Sequence, residues 1–131
     1  MIILDTCALI FDALFPERLT EDAINTIEKS EQQSKLFCCD ISLWEVAMLI
    51  QKKRLNPEVE IQIFLETILK SRRIQLLSIN PEIAAISCSA NIFKHKDPAD
   101  RLIAATAIHH RAKLVTSDTK LVDISGLEII W

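Results

Sequence analysis

Asp5, Glu45, Asp100 and Asp118 are carboxylates that recur along the chain in one kind of position. Each follows an apolar strand run or falls in the first turn of an expected helix. Such positions meet at the carboxyl edge of a parallel α/β sheet, where open α/β proteins place their ligands. Acids gathered there repel one another unless a cation lies among them. All-oxygen ligation with retained water suits Mg2+ or Mn2+. Ions of that kind activate water and offset charge in phosphoryl displacement, so the pattern points to phosphodiester hydrolysis.

The elements that must position these acids alternate between strand and helix. Met1–Leu4 reads as a strand ending at Asp5, followed by a helix over about Ala8–Leu14 that Pro16 ends. Thr20 caps a polar helix to about Gln32, and Lys35–Cys39 is a second strand. Ser42 opens a helix to about Arg54, and Pro57 starts another to about Lys70. Ile74–Ile79 is a third strand, closed by Asn80-Pro81, a cap followed by proline at the first helical position. That helix runs to about Phe93. Asp97-Pro98 repeats the device and begins a helix ending near Arg111; Leu114–Thr116 and Leu127–Trp131 are the last strands. The order predicts one domain over residues 1–131, a three-layer α/β/α sandwich around a parallel sheet of four to five strands.

Composition removes several function classes. Gly126 is the only glycine, which excludes a P-loop or a dinucleotide fingerprint. The cysteines (Cys7, Cys38, Cys39, Cys88) form no C-x-x-C pair, and the histidines lack the spacing of a helical zinc site. Reduced thiols in a cytoplasmic protein fit this usage. No apolar run approaches the ~20 residues of a membrane span. Met1 leads straight into a strand that Asp5 interrupts, unlike a signal peptide. Half the residues are hydrophobic, which suits a sheet covered on both faces. Net charge is −3, yet two divalent ions among the acids would turn the balance positive. Basic residues cluster at Lys52-Lys53-Arg54, at Lys70 with Arg72-Arg73, and at Lys94-His95-Lys96 with Arg101. They read first as helix-end charges that complement the dipole and second as contacts to a nucleic acid.

Each acid also has a purely structural reading. Ser42-Leu43-Trp44-Glu45 matches a capping box, Asp100 falls in the favoured first turn of its helix, Asp5 is a helix cap and Asp118 a turn residue. Two details weigh against that reading for the set. Glu45 is the only polar residue from Leu43 to Ile50, and Asp100-Arg101 precedes the apolar run Leu102–Ala105. Helices so apolar are expected to be buried, and buried charges need compensation.

Ile3-Leu4-Asp5-Thr6, Ser42–Ala47, the segment Asp97-Pro98-Ala99-Asp100-Arg101-Leu102-Ile103-Ala104-Ala105, and Leu114–Asp118 together resemble PIN-domain ribonucleases. The match is closest to the VapC toxin branch of toxin–antitoxin modules. It covers essentially the whole chain, and the D-P-x-D-R-L-x-A-A segment is its most specific part. The resemblance implies a metal-dependent endoribonuclease, usually dimeric and inhibited by a cognate VapB-like antitoxin. By the match, Asp5, Glu45, Asp100 and Asp118 are the metal-site acids, Thr116 supports the last of them, and Thr6 follows the first. Asp97 also matches, but capping accounts for it, so Asp100 is the expected ligand of that pair. Arg101 either pairs with an acid or meets RNA phosphate. Two departures stand out: Cys7 replaces a polar residue or histidine, and Lys53-Arg54-Leu55 replaces the commoner Gly-Lys-Leu.

Competing readings fare worse. A catalytically silent RNA-binding or scaffolding member would be expected to have lost acids. A dehalogenase-like phosphatase needs a second Asp where Cys7 stands, and a receiver domain needs an acceptor Asp where Asn80 follows the third strand.

Overall fold

Successive strand residues point to opposite faces of a sheet, so a sheet covered twice needs apolar residues at every position. The computed structural model, which describes residues 1–94 and 97–131, meets that requirement at the middle of the sheet. His95 and Lys96, part of one basic cluster, lie outside the described residues. In β1 (Ile2–Leu4), Ile3 faces one core and Leu4 the other, and both are fully buried. The same division holds for Cys38 and Cys39 of β2 (Leu36–Cys39) and for Val115 and Leu114 of β4 (Lys113–Val115). With β3 (Gln75–Leu77) and β5 (Glu128–Ile130) these make a five-stranded parallel sheet in the order β3-β2-β1-β4-β5. Chain direction across the sheet reverses between β1 and β4, the switch point where such sheets open a crevice.

Helices α1 (Thr6–Leu14), α2 (Glu21–Gln32), α3 (Asp40–Gln51) and α4 (Ile61–Ser71) contribute to the core that holds Leu4. Helices α5 (Pro81–Ser87) and α6 (Pro98–His110) build the core that holds Ile3. Ala104, Ala105 and Ala107 let α6 approach its neighbours closely, and all three are fully buried. Arg72 ties α4 to the first two helices. Its guanidinium donates to both oxygens of Asp12, at 3.0 and 3.1 Å, and to Glu31 at 2.9 Å. One member of the Lys70/Arg72/Arg73 cluster is therefore a structural clamp.

Four helices end the same way. Beyond α2, α3, α4 and α6, residues Ser34, Lys53, Arg73 and Arg111 take left-handed φ angles of 55, 59, 52 and 52°. In each case the next residue's N–H reaches back into the helix, as Arg54 does to the Leu49 carbonyl at 2.9 Å. This is a Schellman ending, which glycine normally occupies because it has no Cβ. Glycine replaces Lys53 in the commoner form of the motif noted above, and the left-handed backbone explains why. We expect Lys53→Gly to stabilise the fold by about 1 kcal/mol, read as a raised urea midpoint with unchanged slope. A lowered midpoint would show that the Lys53 side chain compensates for its backbone.

The structure corrects four local readings. α3 begins at Asp40, directly off β2, so Ser42 is inside the helix and the capping box does not form. That helix is also not buried: Ser42 and Val46 are its only buried residues, and Trp44 is exposed. α4 starts at Ile61 and not at Pro57, because Glu58 turns left-handed (φ 61°) and donates its N–H to Asn56. α5 stops at Ser87, well short of Phe93.

Candidate metal centre

Asp5 emerges from β1 beside the switch point. Its N–H donates to the Val115 carbonyl at 3.1 Å, and its carboxylate caps α1 by accepting from Ala8 N–H at 2.7 Å. The side chain is buried, and that burial pushes its pKa up to about 6. Hydrogen bonds from the Thr116 hydroxyl and Ala8 N–H pull the other way, while the charges of Asp100 and Asp118 push further upward. Thr116 is itself buried, and its oxygen accepts the Asp118 N–H at 3.0 Å. One hydroxyl thus joins the first acid to the last. Asp118 in turn caps a 3-10 turn, accepting from Lys120 N–H at 2.9 Å.

Glu45 lies in the second turn of α3. It accepts a hydrogen bond from the Thr6 hydroxyl, which also lies 3.0 Å from Ser42 Oγ. Ser42 and Glu45 share a helix face by their spacing of three, so both reach Thr6 at the start of α1. Ser42 is the residue that sequence reasoning missed, having been assigned to a cap; the same spacing was its only signal. Desolvation raises the Glu45 pKa, the Thr6 bond opposes this, and Asp100, Asp97 and Asp5 add to the rise.

The start of α6 supplies the remaining acids. Asp97 caps it, accepting from Ala99 N–H at 3.0 Å and Asp100 N–H at 3.4 Å. Glu45, Asp97 and Asp100 each offer a carboxylate oxygen, and these oxygens lie within 4.8 Å of one another. Asp97 therefore both caps the helix and joins the group. Asp5 and Asp118 stand outside this closest trio, and the charges of Asp100 and Asp118 both add to the upward push on Asp5. Hard carboxylate donors so spaced fit a divalent ion that prefers oxygen and retains water.

A PIN domain family model matches residues 2–127. The chain belongs to the PIN domain family. A curated relative, ribonuclease VapC22 of Mycobacterium tuberculosis (strain ATCC 25618 / H37Rv), is 31% identical over 120 residues, spanning 92% of this chain and 88% of the relative. Among solved structures, the chain resembles VapBC2 from Rickettsia felis, bound to a DNA fragment from its promoter (TM-score 0.76, 19% identity, covering 99% of this chain and 98% of that one). It also resembles DNA-bound VapBC from Salmonella typhimurium (TM-score 0.71, 19% identity, covering 98% and 96%). At those identities the structural likeness speaks for the PIN fold.

Two further residues of this PIN domain sit by the acids. Arg101 makes no ion pair among the described residues, and its Nε is buried without a hydrogen-bond partner there. Cys7 adjoins the acids, and its thiol is pushed up to about 11 by burial, then by Asp5, Asp100 and Glu45. Against the ordinary 9.0, that leaves about a hundredfold less reactive thiolate near neutral pH. We expect Cys7 to alkylate slowly in EDTA and faster with Mg2+ or Mn2+, because a cation among the acids cancels their field. Cys7 and Cys88 are both exposed, and peptide mapping after iodoacetamide treatment separates them. Rates at Cys7 that ignore the metal would argue against a cation at this edge.

Proposed function

We propose that this chain is a metal-dependent endoribonuclease and the toxin of a type II toxin–antitoxin module. Asp5, Glu45, Asp100 and Asp118 form the metal-site set, with Mg2+ or Mn2+ as the cation and Asp97, Thr6, Thr116 and Arg101 in support. The observation that carries the reading is the grouping of Glu45, Asp97 and Asp100 oxygens beside the buried Asp5 at the switch point. When bound, the metal supplies water activation and charge neutralisation at a phosphate.

The chain's own residues do the positioning. Thr6 holds Glu45 through a hydrogen bond, and Thr116 holds Asp5 while fixing the backbone of Asp118. Asp97 anchors the first turn of α6, so Asp100 enters the group from a rigid helix end. The raised pKa of Asp5 favours its proton until a cation displaces it, which couples metal binding to proton release. Arg101 follows Asp100 directly on α6, and its guanidinium is suited to meet an RNA phosphate beside the acids.

The VapC22 likeness supports RNA as substrate, and the VapBC likenesses support a VapB-like antitoxin as partner. A homodimer acting in the cytoplasm fits the same reading. No helix among the described residues is long and apolar enough to cross a membrane. The test is cleavage of total cellular RNA by purified, antitoxin-free protein with Mg2+ or Mn2+ against an EDTA control. Discrete fragments formed only with metal support the proposal. Intact RNA in folded, metal-supplied protein would leave a catalytically silent RNA-binding module instead.

A further inference from the structure

Trp44 is 57% exposed, although it is among the largest side chains in the protein and adjoins Glu45. Ile41, Trp44 and Glu45 recur at the spacing that shares one helix face. Across from them stands the start of α6, with its cap Asp97, then Pro98 and Leu102. Between the two helices is an open cleft of ≈590 Å³. One end of it carries carboxylates of the acid group, and the rest of its lining is apolar.

We infer that this cleft is a nucleobase subsite in which Trp44 stacks on a base beside the phosphate held at the acid centre. The argument is one of matching chemistry. A nucleotide has an anionic end and a neutral, flat, weakly polar end, joined by one sugar. The cleft has a carboxylate end, where the proposed metal would sit, and an apolar end, also side by side. Among the described residues lining it, Glu45 and Asp97 are the polar ones, and Ile41, Trp44, Pro98, Ala99 and Leu102 give the rest an apolar surface suited to a flat ring. Aromatic rings are common platforms for unpaired bases, which stack on them with little sequence preference. The substrate is therefore single-stranded RNA, with one base unstacked onto Trp44. This choice of ligand rests on the RNA-cleaving reading above.

The chain has two tryptophans, and Trp131 packs against Phe11, so Trp131→Phe leaves Trp44 as the sole emitter. That protein is titrated in Mg2+ with nucleoside monophosphates and, separately, with ribose 5-phosphate. Saturable quenching by the nucleotides but not by the sugar phosphate is the expected result. In parallel, Trp44→Ala should raise KM for a cleaved oligoribonucleotide roughly tenfold, whereas Trp44→Phe should restore most of it. Base-independent emission in a protein that cleaves RNA would overturn the subsite. So would a Trp44→Ala variant with unchanged RNA kinetics and a smaller mass in solution, which would make the face a contact between copies. Quenching without any cleavage would uphold the subsite and remove the nuclease reading.

Discussion

Asp100→Asn is expected to reduce metal-dependent RNA cleavage by ~100-fold or more while the protein stays folded. Loss of groups that merely orient a ligand already costs roughly 10–100-fold, and Asp100 is proposed to be a ligand itself. Asparagine preserves size and the helical first turn, so circular dichroism and thermal midpoint should match wild type in EDTA. Asp100 enters the acid group from the third position of α6, and its neighbours Asp97 and Glu45 remain in place after the change. Activity near wild type in Asp100→Asn would assign the chemistry elsewhere. Separate loss in Asp97→Asn needs care, because that carboxylate also caps α6 and its removal acts on stability too.

Asp5→Asn should stabilise the metal-free protein near neutral pH by about 2 kcal/mol, against the usual direction of a substitution at a buried site. Burial lifts this carboxyl from 3.8 to about 6. A group whose folded pKa is raised favours folding while protonated, and that contribution fades as pH climbs from about 4 through about 6. Once ionised, Asp5 therefore costs the fold up to roughly 3 kcal/mol, less what asparagine loses in hydrogen bonding. Asparagine keeps an oxygen for the Ala8 N–H, so the cap on α1 survives. Urea unfolding in EDTA checks the sign: the variant is more stable at about pH 7 and gains nothing at about pH 4. Saturating Mn2+ should reverse the order, since a cation that binds only the folded wild type stabilises it by mass action. A variant less stable at both pH values would mean that Asp5 contributes more by its bonds than it costs by its charge.

Much of this was legible because the acids obey a rule of topology. Once strands and helices alternate, residues after β1 and β4 and at the start of α6 must share one edge. Asp5, Asp118 and Asp100 follow from that alone. Glu45 was placed on the right helix but one turn too early, because Ser42-Leu43-Trp44-Glu45 imitates a cap while the chain turns helical at Asp40 without one. The hydroxyl pair Thr6–Ser42 holds Glu45 through a contact between elements 36 residues apart, which local pattern cannot express. Helix ends were blurred for a different reason. Ser34, Lys53, Arg73 and Arg111 fill the positions that glycine usually marks, so the endings carried no sequence signal. The helix around Glu45 was expected to be buried because apolar content measures what a helix could cover, and Trp44 lines an open cleft instead.

The most direct test of the central claim is calorimetric titration of Mn2+ into the wild-type protein and into Asp100→Asn and Glu45→Gln. The acid centre predicts saturable binding with proton release in wild type, and binding greatly weakened in each variant. Equal Mn2+ affinity in all three folded proteins would contradict a metal held by these carboxylates.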